Sequence, residues 1–196
     1  YALLLALRRA EASAWDVEEF FSLFWPNACA LAAERGTPDH HKEIRRGLEE
    51  YLGEYAEITR REVEHRHGRP RQARDGNDAQ DELGEARESF RRLIKALLTA
   101  TQNKLFKLLA PAIEAVRAPR YWEGEEPDWE EAIDLERRSL EPVVEAIERG
   151  DGVGARKAAE RWHNLPDEAV QAMRATPIGK SPTIPVSFSR LFEDSV

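Results

Sequence analysis

The sequence predicts an all-α protein, an antiparallel bundle of about seven helices with short links and an irregular, proline-containing C-terminal tail. Apolar residues recur at spacings of three and four through most of the chain, as in Phe20, Phe21, Leu23, Phe24, Ala28, Leu31 and Ala32. This is the repeat of one helix face. Alternating apolar and polar runs, which indicate strands, are nearly absent, and short polar segments with glycine or proline separate the periodic stretches.

Local signals predict where the first two helices begin and end. Asp16 is the expected N-cap of the first helix, and Gly36 its expected end. Thr37 then caps a second helix, with Pro38 at the first helical position. The apolar spacing of this second helix continues to Ile58.

The middle of the chain alternates between polar loops and helices. The helical pattern stops in a polar, turn-rich segment over residues 68–79 and resumes near Asp81 in a long helix that ends at Asn103. Residues 105–116 predict the next helix. A second loop is expected over residues 119–128.

The C-terminal third predicts three further helices and a tail. One helix spans residues 129–147, and the Gly-Asp-Gly sequence at 150–152 ends it and caps the next. Asp167 opens the last helix. We therefore expect one helical domain over residues 1–175 and an extended tail over residues 176–196, in which prolines recur.

Composition argues against several functions. A net charge of −8 argues against nucleic-acid binding by this chain itself, since that requires clustered Lys and Arg. Cys29 is the one cysteine, so no disulfide framework is expected; a cytoplasmic location and a structural role for Cys29 in the core are expected instead. No segment approaches the roughly 20 apolar residues of a membrane span, so no membrane partner is expected.

Three segments occur in a fixed order: LAAER at residues 31–35, LIKALLTATQN at 93–103 and VEAIERGD at 144–151. Together they resemble the all-helical effector-binding (FCD) domain of GntR-family transcription regulators, the FadR C-terminal type, over residues 17–164. The resemblance implies a homodimer that holds a small organic effector at its centre and reaches DNA through a winged helix-turn-helix domain. No such DNA-binding segment is recognised in this sequence, and we expect it upstream of Tyr1. Catalysis is not expected, because no catalytic motif was found.

The resemblance also locates a metal site that this sequence does not keep. In the metal-binding branch of the family, an Asp and a His four residues apart and two later histidines bind one ion. The matching positions are Phe90, Ile94, Leu140 and Trp162. None of these side chains binds a divalent cation, so neither a metal nor another cofactor is expected. Two more inward positions of the family, an Arg and a Glu, fall on Phe21 and Trp25.

These six large apolar residues allow two interpretations. They line a cavity for a hydrophobic effector, such as a fatty acyl chain or an aromatic acid, or they fill the former site and leave a dimerisation module with a ligand-free core. In the first case Arg87 and Arg91 are candidates to bind a carboxylate bidentately, and Asn103 is a further ligand-binding candidate. In the alternative, the two arginines pair with nearby glutamates in solvent.

A third interpretation uses the histidines. Glu62-x-x-His65 and Glu160-x-x-His163 show the spacing of carboxylate-bridged di-iron bundles, which also need one glutamate from each of two other helices. The candidates are Glu18 or Glu19 and Glu136. With 37 acidic residues and five histidines in the chain, two such pairs are expected by chance, so a metal-dependent helical enzyme is the least favoured interpretation.

Overall fold

The computed structural model describes residues 11–66, 76–108, 121–122, 129–161, 167–177 and 183–184, with the backbone alone over 58–59, 61–66, 76–87, 121–122, 129–132 and 183–184. Within these residues the helices are α1 Ala14–Arg35, α2 Pro38–Arg66, α3 Gly76–Ala100, α4 Trp129–Glu148, α5 Gly152–Arg161 and α6 Asp167–Ala175. Residues 104–108 are also helical. Two short strands, β1 Tyr121–Trp122 and β2 Thr183–Ile184, pair in parallel. The predicted all-α bundle is confirmed.

The start of α1 differs from the prediction. Its N-cap is Ser13, and Asp16 is the third residue of the helix rather than the cap. The Asp16 amide donates to Ser13 Oγ (3.3 Å), and the Asp16 carboxylate accepts from the Ser13 amide (2.6 Å), so each residue satisfies the other in a capping box. Hydrogen bonds from Ser13 lower the pKa of the Asp16 carboxyl. The Ser-x-x-Asp pattern therefore begins the helix three residues earlier than an aspartate cap would.

Other helix ends agree with the sequence signals. The Gly36 amide donates to Ala32 O (2.8 Å) at the end of α1, and the His40 amide donates to Thr37 Oγ1 (3.3 Å) at the start of α2. Gly150 adopts a positive φ of 70° after α4, a conformation that favours glycine. These caps explain why short links suffice between consecutive helices.

The predicted polar loop is shorter than expected. Residues 76–79 already belong to α3, which begins before the predicted Asp81. The rest of that segment, like the C-terminal part of the predicted helix at 105–116, lies outside the described residues.

The helices pack around one core. Helices α1 and α2 both pack against α3 and α4, so they occupy diagonal positions in the bundle. Helix α5 packs on α1 and α4, and α6 packs on the N-terminal part of α1, where the Ala14 amide donates to Thr176 O (2.8 Å). The C-terminal ends of α1 and α3 lie together, because the Gln102 side-chain amide donates to Arg35 O. Helix α2, which leaves the α1–α2 turn in the opposite direction, is antiparallel to both.

Two contacts fix the position of α2 along its neighbours. A Cβ built on Gly47 would lie only 3.1 Å from Leu93 Cα, so the backbones of α2 and α3 approach closely there. On the other side, Arg45 pairs with both Glu141 and Glu148 of α4, and its Nη2 lies 2.6 Å from Glu148 Oε2. The hydrogen bond from Arg45 lowers the pKa of the Glu148 carboxyl.

The core agrees with the remaining expectations. Its fully buried side chains include Ile44, Leu48, Leu97 and Ile147. Cys29 is fully buried among them, and burial raises the pKa of its thiol, so it is a core residue as predicted. None of the helices in the described part of the chain combines the length and apolar character that crossing a bilayer requires.

Candidate functional site

The structure describes five of the six apolar positions that the sequence predicted to face inward. Four of them are buried: Phe21, Trp25, Ile94 and Leu140. Phe90 is half-buried and packs against the same core. Trp162 lies outside the described residues. These positions come from three different helices, α1, α3 and α4, and all five contribute to the interior of the bundle.

Helical spacing explains why they share one side of each helix. On α1, Glu18, Phe21 and Trp25 follow at intervals of three and four, and the same face continues with the buried Ala28 and Ala32. The large side chains thus occupy the N-terminal half of this face and the small ones its C-terminal half.

Contacts of α2 complete this half of the bundle with two tyrosines. The ring of Tyr51 lies 5.1 Å from that of Phe90 and 5.9 Å from that of Tyr55, centroid to centroid. Sequence analysis did not include either tyrosine among the site residues, because nothing local indicates which residue of α2 faces Phe90.

The α1–α2 turn gives the positions of Glu18 and Tyr55 along the bundle axis. His41 Nε2 lies 3.4 Å from Ala32 O, which places these two residues side by side. Glu18 comes 14 residues before Ala32, and Tyr55 comes 14 residues after His41. At about 1.5 Å per residue, both lie roughly 21 Å from the turn. We infer that Glu18 and Tyr55 stand at similar heights on the diagonal helices α1 and α2.

Two glutamates lie in the same region. Glu18 is only 4% exposed, which is rare for a carboxylate. Glu136 of α4 is half-buried and precedes Leu140 by one helical turn. Burial, and secondly the negative charge of Glu136, raises the pKa of Tyr55 to about 12, which places this carboxylate near the phenol. Sequence analysis considered both glutamates only as di-iron ligands.

We refer to this region as the aromatic layer. It comprises Glu18, Phe21, Trp25, Tyr51, Tyr55, Phe90, Ile94, Glu136 and Leu140. It lies in the half of the bundle away from the α1–α2 turn. Its described members offer broad apolar surfaces and, as polar groups, carboxylates, phenols and the indole N–H of Trp25. An arrangement of this kind suits a ligand with an apolar body and a few polar groups that fix its orientation.

The predicted polar anchors lie elsewhere. Arg91 is exposed and pairs with Glu88 through a 3.0 Å contact, which is the solvent pairing that the sequence also allowed. Asn103 Oδ1 accepts a hydrogen bond from the Leu105 amide (3.0 Å) and so caps the helical segment 104–108. Asn103 follows the C-terminal end of α3, 13 residues after Phe90. The side chain of Arg87 lies outside the described residues.

The histidine-based metal site receives no support from the described side chains. Among them there is no group of three or more His, Cys, Asp or Glu placed to hold a metal ion. Glu160 is exposed on α5. The side chains of Glu62, His65 and His163 lie outside the described residues.

The chain matches no protein-family model, no curated protein sequence and no solved structure. What the aromatic layer does must therefore be inferred from its own residues.

Proposed function

We propose that this chain is the ligand-sensing and dimerisation domain of a GntR/FadR-type transcription regulator, with a small organic effector bound in the aromatic layer without a metal. One observation carries the proposal. The positions that the three sequence segments assign to the effector site are buried or half-buried wherever they are described, on α1, α3 and α4. One residue later, Arg91 and Lys95 are exposed, whereas one residue earlier Ser89 and Leu93 are also buried.

The layer also indicates the chemistry of the effector. Its aromatic rings and aliphatic side chains fit an apolar body. Glu18, when ionised, accepts hydrogen bonds only, so it fits a polar end that donates, such as a hydroxyl or an amine. An acyl or aromatic acid, the effector expected from the sequence, would rely on Arg87, since Arg91 pairs with Glu88 at the surface.

The proposed mechanism is a shift of population between two arrangements of the dimer. An effector in the layer contacts α1, α3 and α4 at once and favours the arrangement in which those helices fit it best. The relative position of two protomers then sets the spacing of DNA-binding domains outside this chain, and hence their fit to two half-sites.

Ligand binding tests the effector site directly. A panel of apolar acids, alcohols and amines is screened by thermal shift, and a binder at 100 times its dissociation constant adds about 2.7 kcal/mol of stability. Ile94→Ala is expected to weaken that binding. Leu98→Ala, one turn further along α3, removes a comparably buried side chain outside the layer and serves as the control.

A second candidate function is a dimerisation module whose centre is plain core. It is favoured by the nearly complete burial of Trp25 and Leu140. Two results together would support this alternative. No compound of the panel stabilises the protein, and Ile94→Ala and Leu98→Ala destabilise it equally.

Restoring the metal ligands of the family tests the register of the resemblance. The restored variant carries Phe90→Asp, Ile94→His, Leu140→His and Trp162→His. We expect Zn²⁺ to stabilise or fold this variant, because a complete ligand set couples metal binding to folding. The control moves the set by one residue, to Arg91→Asp, Lys95→His and Glu141→His with the native His163. Equal responses of the two variants to Zn²⁺ would count against the proposed register.

A further inference from the structure

Helix α1 exposes two large apolar residues on its outer face, beside polar residues such as Glu19 and Asn27. Phe20 and Leu23 are exposed, and Leu23 reaches 68%. Among the residues that the structure describes, the bundle covers the inner face of α1 and leaves Phe20 and Leu23 exposed.

The helical segment 104–108 extends this exposed surface. Its Phe106 ring lies 4.6 Å from that of Phe24, which in turn stacks on Phe20 at 5.4 Å. Leu105 and Leu108 of the same segment are also exposed. We call this surface the outer patch: Phe20, Leu23, Phe24, Leu105, Phe106 and Leu108. Its rings are already held in place by one another, so a partner would bind it without ordering them first.

Charges at the two sides of the outer patch identify what covers it. Its exposed charged neighbours in the sequence are Asp16 and Glu19 on α1, and Lys104 and Lys107 on the segment 104–108. A two-fold axis through the patch brings the acidic side of one copy to the basic side of the other, at both places at once. Such self-complementarity is the requirement for an isologous dimer.

We propose that a second copy of this chain binds the outer patch, with Leu23 in the interface and Glu19 facing Lys104 and Lys107 of the other copy. This assignment deepens the proposed function and rests on it for the expectation of a dimer, whereas the surface is argued from the patch alone. It also gives α1 a role in regulation. Phe21 and Trp25 of the aromatic layer and Leu23 of the outer patch lie on opposite faces of one helix, so an effector that moves α1 also moves the interface.

The test measures the oligomeric state of the whole chain by sedimentation equilibrium. We expect a dimer, and we expect Leu23→Glu to weaken it about 100-fold or more, because each substitution occurs twice in a two-fold interface. Val153→Glu is the matched control. Val153 is an apolar side chain of similar exposure, 66% against 68% for Leu23, on α5, and its substitution is expected to leave the dimer unchanged.

A charge exchange tests the orientation of the two copies. Glu19→Lys is expected to weaken the dimer, and the same variant with Lys104→Glu and Lys107→Glu is expected to recover it. Each variant is expected to fold, because the substituted residues are exposed. Far-UV circular dichroism checks this. Leu23→Glu is expected to keep its affinity for any ligand found by the screen, so failure of the effector site and failure of the interface remain distinct results.

Three outcomes would overturn the assignment. The first is a wild-type monomer at all concentrations, in which case other parts of the protein cover the patch. The second is a dimer that tolerates Leu23→Glu as well as Val153→Glu. The third is a dimer that the charge exchange does not recover.

Discussion

The close approach of α2 and α3 at Gly47 predicts opposite effects for the same substitution at two glycines of one helix. Gly53 is exposed, and a Cβ added there meets nothing within 4 Å. Gly53→Ala is therefore expected to stabilise the protein by roughly 0.5–1 kcal/mol, the usual gain when alanine replaces glycine inside a helix. A Cβ on Gly47 would instead lie 3.1 Å from Leu93 Cα and 3.5 Å from Leu93 Cβ.

The cost at Gly47 follows from what that Cβ would touch. The nearest atom belongs to the backbone of α3, which cannot rotate away as a flexible side chain does. Moving the two helices apart by a few tenths of an ångström is an overpacking change, which costs typically about 1–3 kcal/mol. Both variants share the helical gain of Gly→Ala, so this gain cancels when they are compared. Gly47→Ala is thus expected to be about 1–3 kcal/mol less stable than Gly53→Ala.

Urea unfolding followed by circular dichroism measures the difference, provided that the dependence on urea is unchanged between the variants. If Gly47→Ala stabilises the protein as much as Gly53→Ala does, the close approach of α2 and α3 is refuted. It would also remove the basis for placing Tyr51 beside Phe90, since both contacts depend on the same register of α2 against α3.

Three further predictions concern ionisable groups and the core. The raised pKa of Tyr55, from 10.0 to about 12, means that the unfolded phenol ionises first, so the contribution of Tyr55 to stability is constant below pH 10 and falls between pH 10 and 12. Tyr55→Phe should lessen this fall in urea unfolding, and an unchanged curve would contradict the burial. The Cys29 thiol should react with a thiol reagent only as the protein unfolds, and rapid labelling in the native state would show that it is accessible. Arg45→Gln should destabilise by about 1 kcal/mol and reduce the loss of stability that added salt causes in the wild type, because Glu141 and Glu148 lose a partly exposed partner. Equal salt dependence of the two proteins would show that these ion pairs contribute little.

The helix boundaries were largely predictable, because the signals for them are local. Gly36, Thr37 and Gly150 act within one turn of the helices that they end or begin. The N-cap predicted at Asp16 was wrong because Asp16 is only one half of a reciprocal pair. Ser13 is the N-cap, and Asp16 completes the capping box. The early start of α3 was missed because its first residues carry no apolar periodicity. The pairing of β1 with β2 joins residues 62 apart in two-residue strands, too short to leave a pattern.

The sequence by itself determined that the chain forms helices, since the spacing of apolar residues and the helical period are both properties of one segment. It did not determine the buried face of α1, where the same spacing runs through the exposed Phe20 and Leu23. The resemblance to the family predicted that Phe21, Trp25, Ile94 and Leu140 face inward, and all four are buried. Only the tertiary structure decided which faces meet: Tyr51 with Phe90, Tyr55 with Glu136, and Arg45 with Glu141. The helical period fixes rotation about an axis but not the sliding of one helix along another, which depends on close packing such as that of Gly47 on Leu93.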